Sequence, residues 1–163
     1  MPSPMLPSTP GAYALALRLE RPVRLRVGAL GVWDFPEGVY VYLGSARGPG
    51  GIRARLGRHL RGASTPPGTG RPRWHVDYLR AMAQPIAWGY TVAPAPGLPW
   101  ECLWSQRLAA APRAWVPVPG FGASDCRHRC PAHLIAFPPD AELLAWLRER
   151  SKTWGLTWHT MTD

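Results

Sequence analysis

The chain has 163 residues, 46% of them hydrophobic and 18% charged. That is the length of one domain with enough apolar side chains for a core; it excludes wholesale disorder, and no apolar run reaches the ~18 residues of a membrane-spanning helix. The formal net charge is +9, and Lys152 is the only lysine among 19 cations, so the composition points to a polyanion, nucleic acid before an anionic membrane, met by guanidinium groups that fork onto phosphate.

Residues 1–10, rich in Pro and Ser, read as a disordered tail, residues 11–150 as a single domain, and residues 151–163 as a C-terminal tail. The opening MPSPMLPSTP has neither the basic nor the apolar region of a signal peptide, which predicts a cytoplasmic protein. Tyr13, Leu15, Leu17 and Leu19 share one face of a first strand; Val23, Leu25 and Val27 alternate with Arg24 and Arg26 in a second; GVYVYLGSA, residues 38–46, is a third. Ile52, Leu56 and Leu60 at i, i+4 and i+8 predict a helix over 51–61, and the Pro- and Gly-rich residues 64–72 a loop. Residues 74–83 read as a helix, 86–92 as a strand, 100–111 as a helix begun by Pro99 and stopped by Pro112, and 118–125 as a glycine-rich loop. Residues 133–137 read as a short strand, and Asp140 as the N-cap of a helix that turns Leu143, Leu144 and Leu147 inward. The fold class is therefore α+β, a small central antiparallel or mixed sheet flanked by helices.

On the 51–61 helix, His59 falls within the apolar stripe and Arg55 stands at its edge one turn earlier, so the two can face a common site, while Arg58 and Arg61 point away toward solvent or a phosphate backbone. Between Arg47 and Arg80 lie eight arginines and one acid, Asp77. Glu101 borders the buried face formed by Trp104, Leu108 and Ala111, where a carboxylate needs an Arg, a hydrogen-bond donor or a metal ion; a plain first-turn Glu stabilised by the helix dipole is the alternative. Tyr13 lies on the face of Leu15 and Leu17, and Tyr40 and Tyr42 share a face, as core aromatics do. Three cysteines make no disulfide framework. They read as reduced thiols near the core; the other reading is a structural zinc site of Cys126, Cys130 and His133, with Cys102 or His128 as fourth ligand.

These pieces in order resemble the GIY-YIG nuclease family, and more closely a subfamily sometimes fused to endonuclease III. The resemblance runs over about residues 11 to 137 and rests on Gly11–Ala12–Tyr13, Tyr42–Leu43–Gly44–Ser45–Ala46, Arg55 with His59, the WHVDYL run from Trp74 to Leu79, Glu101–Cys102, and GFGASDC from Gly120 to Cys126. The gap from Tyr13 to Tyr42 is longer than the family's, which implies an inserted strand pair, and Gly38–Val39–Tyr40 offers a second copy of the opening motif, so which of Tyr13, Tyr40 and Tyr42 fill the two tyrosine positions stays open. The cysteines depart from the C-x-C of the relatives, standing here as Cys126 and Cys130.

The resemblance implies a metal-dependent DNA endonuclease. Glu101 would hold one Mg²⁺ or Mn²⁺; Arg55 would neutralise charge on the scissile phosphate; Tyr13 or Tyr42 would orient or deprotonate the attacking water; His59 would assist. Arg47, Arg53, Arg58, Arg61, Ser45 and His75 are the expected substrate contacts, with DNA ahead of RNA. The fusions imply a link to a base-excision repair enzyme and a nucleoid-associated location. The competing reading is a non-catalytic nucleic-acid-binding module that uses the basic face from Arg47 to Arg80.

Overall fold

Alternation along residues 11–19 makes β1 (Gly11–Leu19) the middle strand of the molecule. The computed structural model describes residues 5–62 and 72–161; of the loop predicted over 64–72, residues 64–71 lie outside them. β1 pairs along its whole length with β4 (Gly38–Ala46), antiparallel, from Gly11 opposite Ala46 to Leu19 opposite Gly38. Between these two strands in sequence, β2 (Val23–Arg26) and β3 (Val32–Phe35) form a separate two-stranded ribbon, the inserted pair. β5 (Gln84–Thr91), β6 (Leu134–Phe137) and β7 (His159–Thr160) complete a five-stranded sheet in the order β6-β4-β1-β5-β7, antiparallel throughout. The register of β1 on β5 slips between Ala16 and Leu17, beside Pro85, which has no N–H to give a ladder.

The two faces of the sheet carry different cores. Tyr13, Leu15, Leu17, Leu19, Tyr40 and Tyr42 pack against Ile52 and Leu56 of α1 (Gly51–Arg61) and Val76 and Leu79 of α2 (His75–Arg80). On the reverse, Ala12, Ala14, Ala16, Val39, Val41 and Leu43 pack against Trp104 and Leu108 of α3 (Trp100–Ala109) and Leu143 and Leu147 of α4 (Leu143–Ser151). The three alanines of β1 leave room for the Trp104 indole, which is fully buried and donates through Nε1 to the Trp154 carbonyl at 2.8 Å. Among the described residues no helix is long and apolar enough to cross a membrane.

Several expected boundaries move. The first tail is not loose over its described part: Leu6 is buried, and the carbonyls of Thr9 and Pro7 accept the Ile52 and Arg53 N–H groups at 3.0 and 2.8 Å, satisfying donors that α1 leaves without helical partners. The C-terminal segment is not a tail either, since Leu156 and Trp158 enter the second core and β7 extends the sheet. The helix expected over 74–83 is only six residues, because its last turn tightens at Ala81 and Met82. The last helix begins at Leu143 rather than just after Asp140, whose side chain accepts the Glu142 N–H at 2.9 Å in a turn leading into it.

Candidate functional site

Tyr13 sits opposite Gly44 in the β1–β4 ladder, and its ring lies across the space a side chain would take: a Cβ at Gly44 would stand 2.6 Å from the Tyr13 ring. That placement carries the Tyr13 hydroxyl to His59 Nε2 at 3.0 Å. Tyr42 lies beside it, with 6.1 Å between the ring centroids. Burial drives both phenols up, Tyr42 to about 12. Burial pushes His59 down to about 4, with Arg58, Arg55 and Arg80 adding to the effect and the Asp77 carboxylate opposing it, so the imidazole is neutral near pH 7. Its Nδ1 faces Asp77 Oδ1 at 3.7 Å and has no hydrogen-bond partner. A carboxylate on that side favours the Nδ1–H tautomer and leaves Nε2 to accept the Tyr13 proton.

Asp77 organises the surrounding cations. Arg58 forks onto it at 2.9 and 3.0 Å, and the backbone N–H groups of Arg73 and Trp74 donate to the same carboxylate at 2.7 and 3.0 Å. Burial opposes the Asp77 charge, but these donors outweigh it and hold the carboxyl below its ordinary range. Arg58 thus does not point to open solvent. The Trp74 ring lies under three guanidiniums, with Arg55 at 4.3 Å, Arg58 at 4.7 Å and Arg73 at 5.6 Å from its centroid. Arg55 finds the partner that its half-buried position requires in the Ser45 carbonyl, at 2.9 Å.

In front of the tyrosines opens a cleft of about 530 Å³ whose lining includes Tyr42, Ser45, Arg47, Arg55, Trp74 and Glu101. Glu101, 8% exposed, receives Arg47 at 3.2 Å through an arginine that is itself largely exposed. A hard carboxylate paired only with an exposed cation fits a divalent ion that prefers oxygen donors and keeps several waters, and Asp125 lines the same cleft as a second carboxylate. The other wall holds sulfur. Cys102, Cys126, Cys130 and His133 each offer a ligand atom, all within 4.8 Å of one another, a group that could hold a metal ion. Burial pushes the Cys102 thiol up; at Cys126 burial is overcome by the N–H groups of His128 and Cys130, which lower it. His128, the other fourth-ligand candidate, is not in the group.

The structure therefore brings Tyr13, Tyr42, Arg55, His59, Glu101, Arg47 and Ser45 around one cleft or directly behind it. Tyr40 stands apart, packed on Phe35 with its hydroxyl donated to the Pro36 carbonyl. Arg53 is turned to the Leu6 carbonyl at 2.9 Å, and Arg61, exposed on α1, does not line the cleft. His75 accepts the Gly122 N–H at 2.8 Å through Nδ1 and packs on Phe121, tying α2 to the 118–125 loop. Arg80 is 5% exposed, with Nε and Nη2 on the carbonyls of His59 and Leu60 at 2.7 and 3.4 Å; it closes the C-terminal end of α1 and is not part of a basic surface. Sequence reading missed Asp77 as the hub and Trp74 as the platform, although a lone acid among eight arginines was a visible signal.

The chain matches the family described as Domain of unknown function DUF123 over residues 12–155. No curated protein and no solved structure matches it significantly. With nearly its whole length covered by that match, the chain belongs to the DUF123 family, which is GIY-YIG-like.

Proposed function

We propose that the protein is a metal-dependent DNA endonuclease that hydrolyses one phosphodiester at a time in the cleft before Tyr42. The observation that carries this reading is the convergence of Tyr42, Arg55 and Glu101 on one cleft, with Tyr13, His59 and Asp77 clustered behind Tyr42. Water attacks phosphorus from the Tyr42 side, and the bond to the leaving oxygen breaks. As the water loses its proton to the Tyr42 oxygen, Tyr42 passes its own to Tyr13 and Tyr13 to the neutral His59 Nε2, so the imidazolium forms beside Asp77. Phenols with raised pKa values do not hold a negative charge at neutral pH, and this handover spares them from doing so. Arg55, fixed by the Ser45 carbonyl and the Trp74 ring, meets the charge that builds on the phosphate. Glu101, with Asp125 nearby in the cleft, would hold Mg²⁺ or Mn²⁺, which when bound supplies Lewis-acid stabilisation of the leaving oxygen. Arg47 and Arg127, both lining the cleft, would track the DNA backbone.

The test is nicking of supercoiled plasmid and cleavage of a branched-DNA panel with Mn²⁺, Mg²⁺ or EDTA, wild type beside Glu101→Ala. Metal-dependent nicking that Glu101→Ala reduces by about 10² or more, with DNA binding retained, supports the reading. Salt-sensitive binding without cleavage by either protein would sink it and leave a binding module. That module would have a narrower surface than the sequence implied, because Arg80 is buried and Arg58 is paired.

A further inference from the structure

We propose that Cys102, Cys126, Cys130 and His133 bind one structural Zn²⁺ ion, which anchors the loop at residues 110–133 to α3 and so builds the second wall of the cleft. The contribution to the cleft rests on the nuclease reading; the zinc site does not. Four side chains from three places meet here: Cys102 from the first turn of α3, Cys126 and Cys130 from the loop, and His133 from the residue before β6. Three sulfurs and one imidazole are a soft donor set, suited to zinc and unsuited to the oxygen-seeking ion at Glu101.

The distances discriminate further. Cys102 Sγ lies 3.8 Å from Cys126 Sγ and 3.7 Å from His133 Nε2. A tetrahedron with Zn–S near 2.3 Å and Zn–N near 2.0 Å has edges of roughly 3.8 Å between sulfurs and 3.5 Å between sulfur and nitrogen. A disulfide would require about 2.05 Å and would leave the third sulfur over. The surroundings are those of a ligand shell. The His128 N–H donates to Cys126 Sγ at 3.4 Å, and the Gln106 amide donates to Cys130 Sγ at 3.5 Å. N–H donors aimed at sulfur suit thiolates, since a neutral thiol is a weak acceptor. His133 is seated by its own backbone N–H, which donates to the Phe121 carbonyl at 2.7 Å, and its Nε2 faces Cys102 Sγ.

Binding is a simple exchange: three thiols release three protons to solvent, neutral His133 donates through Nε2, and no electron moves. The consequence reaches the tyrosines. The held loop lays Phe121 edge-on to the Tyr42 ring at 6.3 Å, and a Cβ at Gly122 would stand 2.9 Å from that ring. It also sets Asp125, Arg127 and His128 along the cleft.

The full chain, purified in reducing buffer without chelator, should contain about one zinc per chain by elemental analysis, and Cys126→Ser and Cys130→Ser should each cut that content at least fivefold. Should those variants not fold, the wild type decides alone: Co²⁺ exchanged into it should give the intense visible bands of a tetrahedral site and a thiolate-to-cobalt charge-transfer band. Less than about a tenth of a zinc in a folded wild-type chain, with no tetrahedral bands on Co²⁺ titration, overturns the proposal, as does iron in place of zinc. Glu101→Ala should keep its zinc whether or not it nicks DNA, so failure of the nuclease reading and failure of the zinc site show up separately.

Discussion

On one side of the sheet β1 presents Tyr13, Leu15 and Leu17; on the other, from the intervening positions, Ala12, Ala14 and Ala16. The first side embeds a polar chain, Tyr42–Tyr13–His59–Asp77, inside its core, while the second is filled by apolar and tryptophan side chains under α3 and α4. A strand's period of two lets nine residues serve both purposes without compromise, since no residue contributes to both faces. The alanine side can be optimised for contact alone. The tyrosine side must also accommodate hydroxyls and an imidazole, and a buried polar group without a partner is expensive: His59 Nδ1 has only the Asp77 carboxylate at 3.7 Å to offset its burial. Each variant below bears mainly on one face and asks whether the other responds.

The largest effect belongs to the alanine side. Trp104→Ala removes the largest fully buried side chain and should cost about 3–5 kcal/mol in urea unfolding. A loss under about 1 kcal/mol would show that the alanine strip and α3 are not closely packed. Next is Gly44→Ala. The added methyl would sit 2.6 Å from the Tyr13 ring on the tyrosine face, forcing the ring aside. Overpacking of this kind should cost about 1–3 kcal/mol, and nicking should fall with it although Gly44 offers no side chain to the substrate. Unchanged nicking would break the link between the strand register and the site.

Much of this was legible beforehand, for physical reasons that differ by element. β1, β4 and α1 announce themselves because their periods are strict and their burial one-sided: Leu15, Leu17, Ile52 and Leu56 fall where alternation or the helical repeat puts them. The packed C-terminus was not legible, because Leu156 and Trp158 are isolated apolar residues in a stretch with no period, and only the sheet edge left by β5 gives them a place. In the site, Arg55 and His59 were readable from a spacing of one helical turn. Asp77 as the hub was not, since its partners come from α1 and from the backbone before α2. The cysteines show the same limit: their spacing left a choice between thiols and a metal site, and Cys102 joins Cys126 only through the folding of the long loop.

Tyr13→Phe isolates the polar chain from its packing. The ring stays and the hydroxyl goes, leaving His59 Nε2 without its partner in a site 1% exposed; stability should drop by about 1–3 kcal/mol. On the nuclease reading nicking should fall by about 10²–10⁴. Tyr40→Phe is the control, because the Tyr40 hydroxyl is spent on the Pro36 carbonyl away from the cleft. A nicking loss in Tyr40→Phe with Tyr13→Phe unchanged would mean that Tyr40, not Tyr13, holds the family position.

Acid offers the mildest probe, and one that the two faces should answer differently. His59 is buried among Tyr13, Asp77, Arg58, Arg55 and Arg80, and its pKa in the folded protein is lowered to about 4. In the unfolded chain an imidazole titrates near 6.5. Between those values the unfolded chain takes up a proton that the folded protein refuses. The stability held by neutral His59 is therefore fully present above about pH 6.5 and drains away as pH falls toward 4. His75 and His133 are lowered by burial in the same direction, so the raw acid slope of the wild type is shared. The difference in urea midpoint between wild type and His59→Gln, followed from pH 8 to 4.5, isolates the chamber and should shrink as the pH drops. Leu108→Ala, on the alanine side, should keep the wild-type slope at a lower midpoint, because it shortens an apolar side chain in the second core and removes no titrating group. If His59→Gln kept the whole wild-type slope, His59 would titrate alike in the folded protein and the unfolded chain, and the burial said to hold it neutral in the site would not be shifting it.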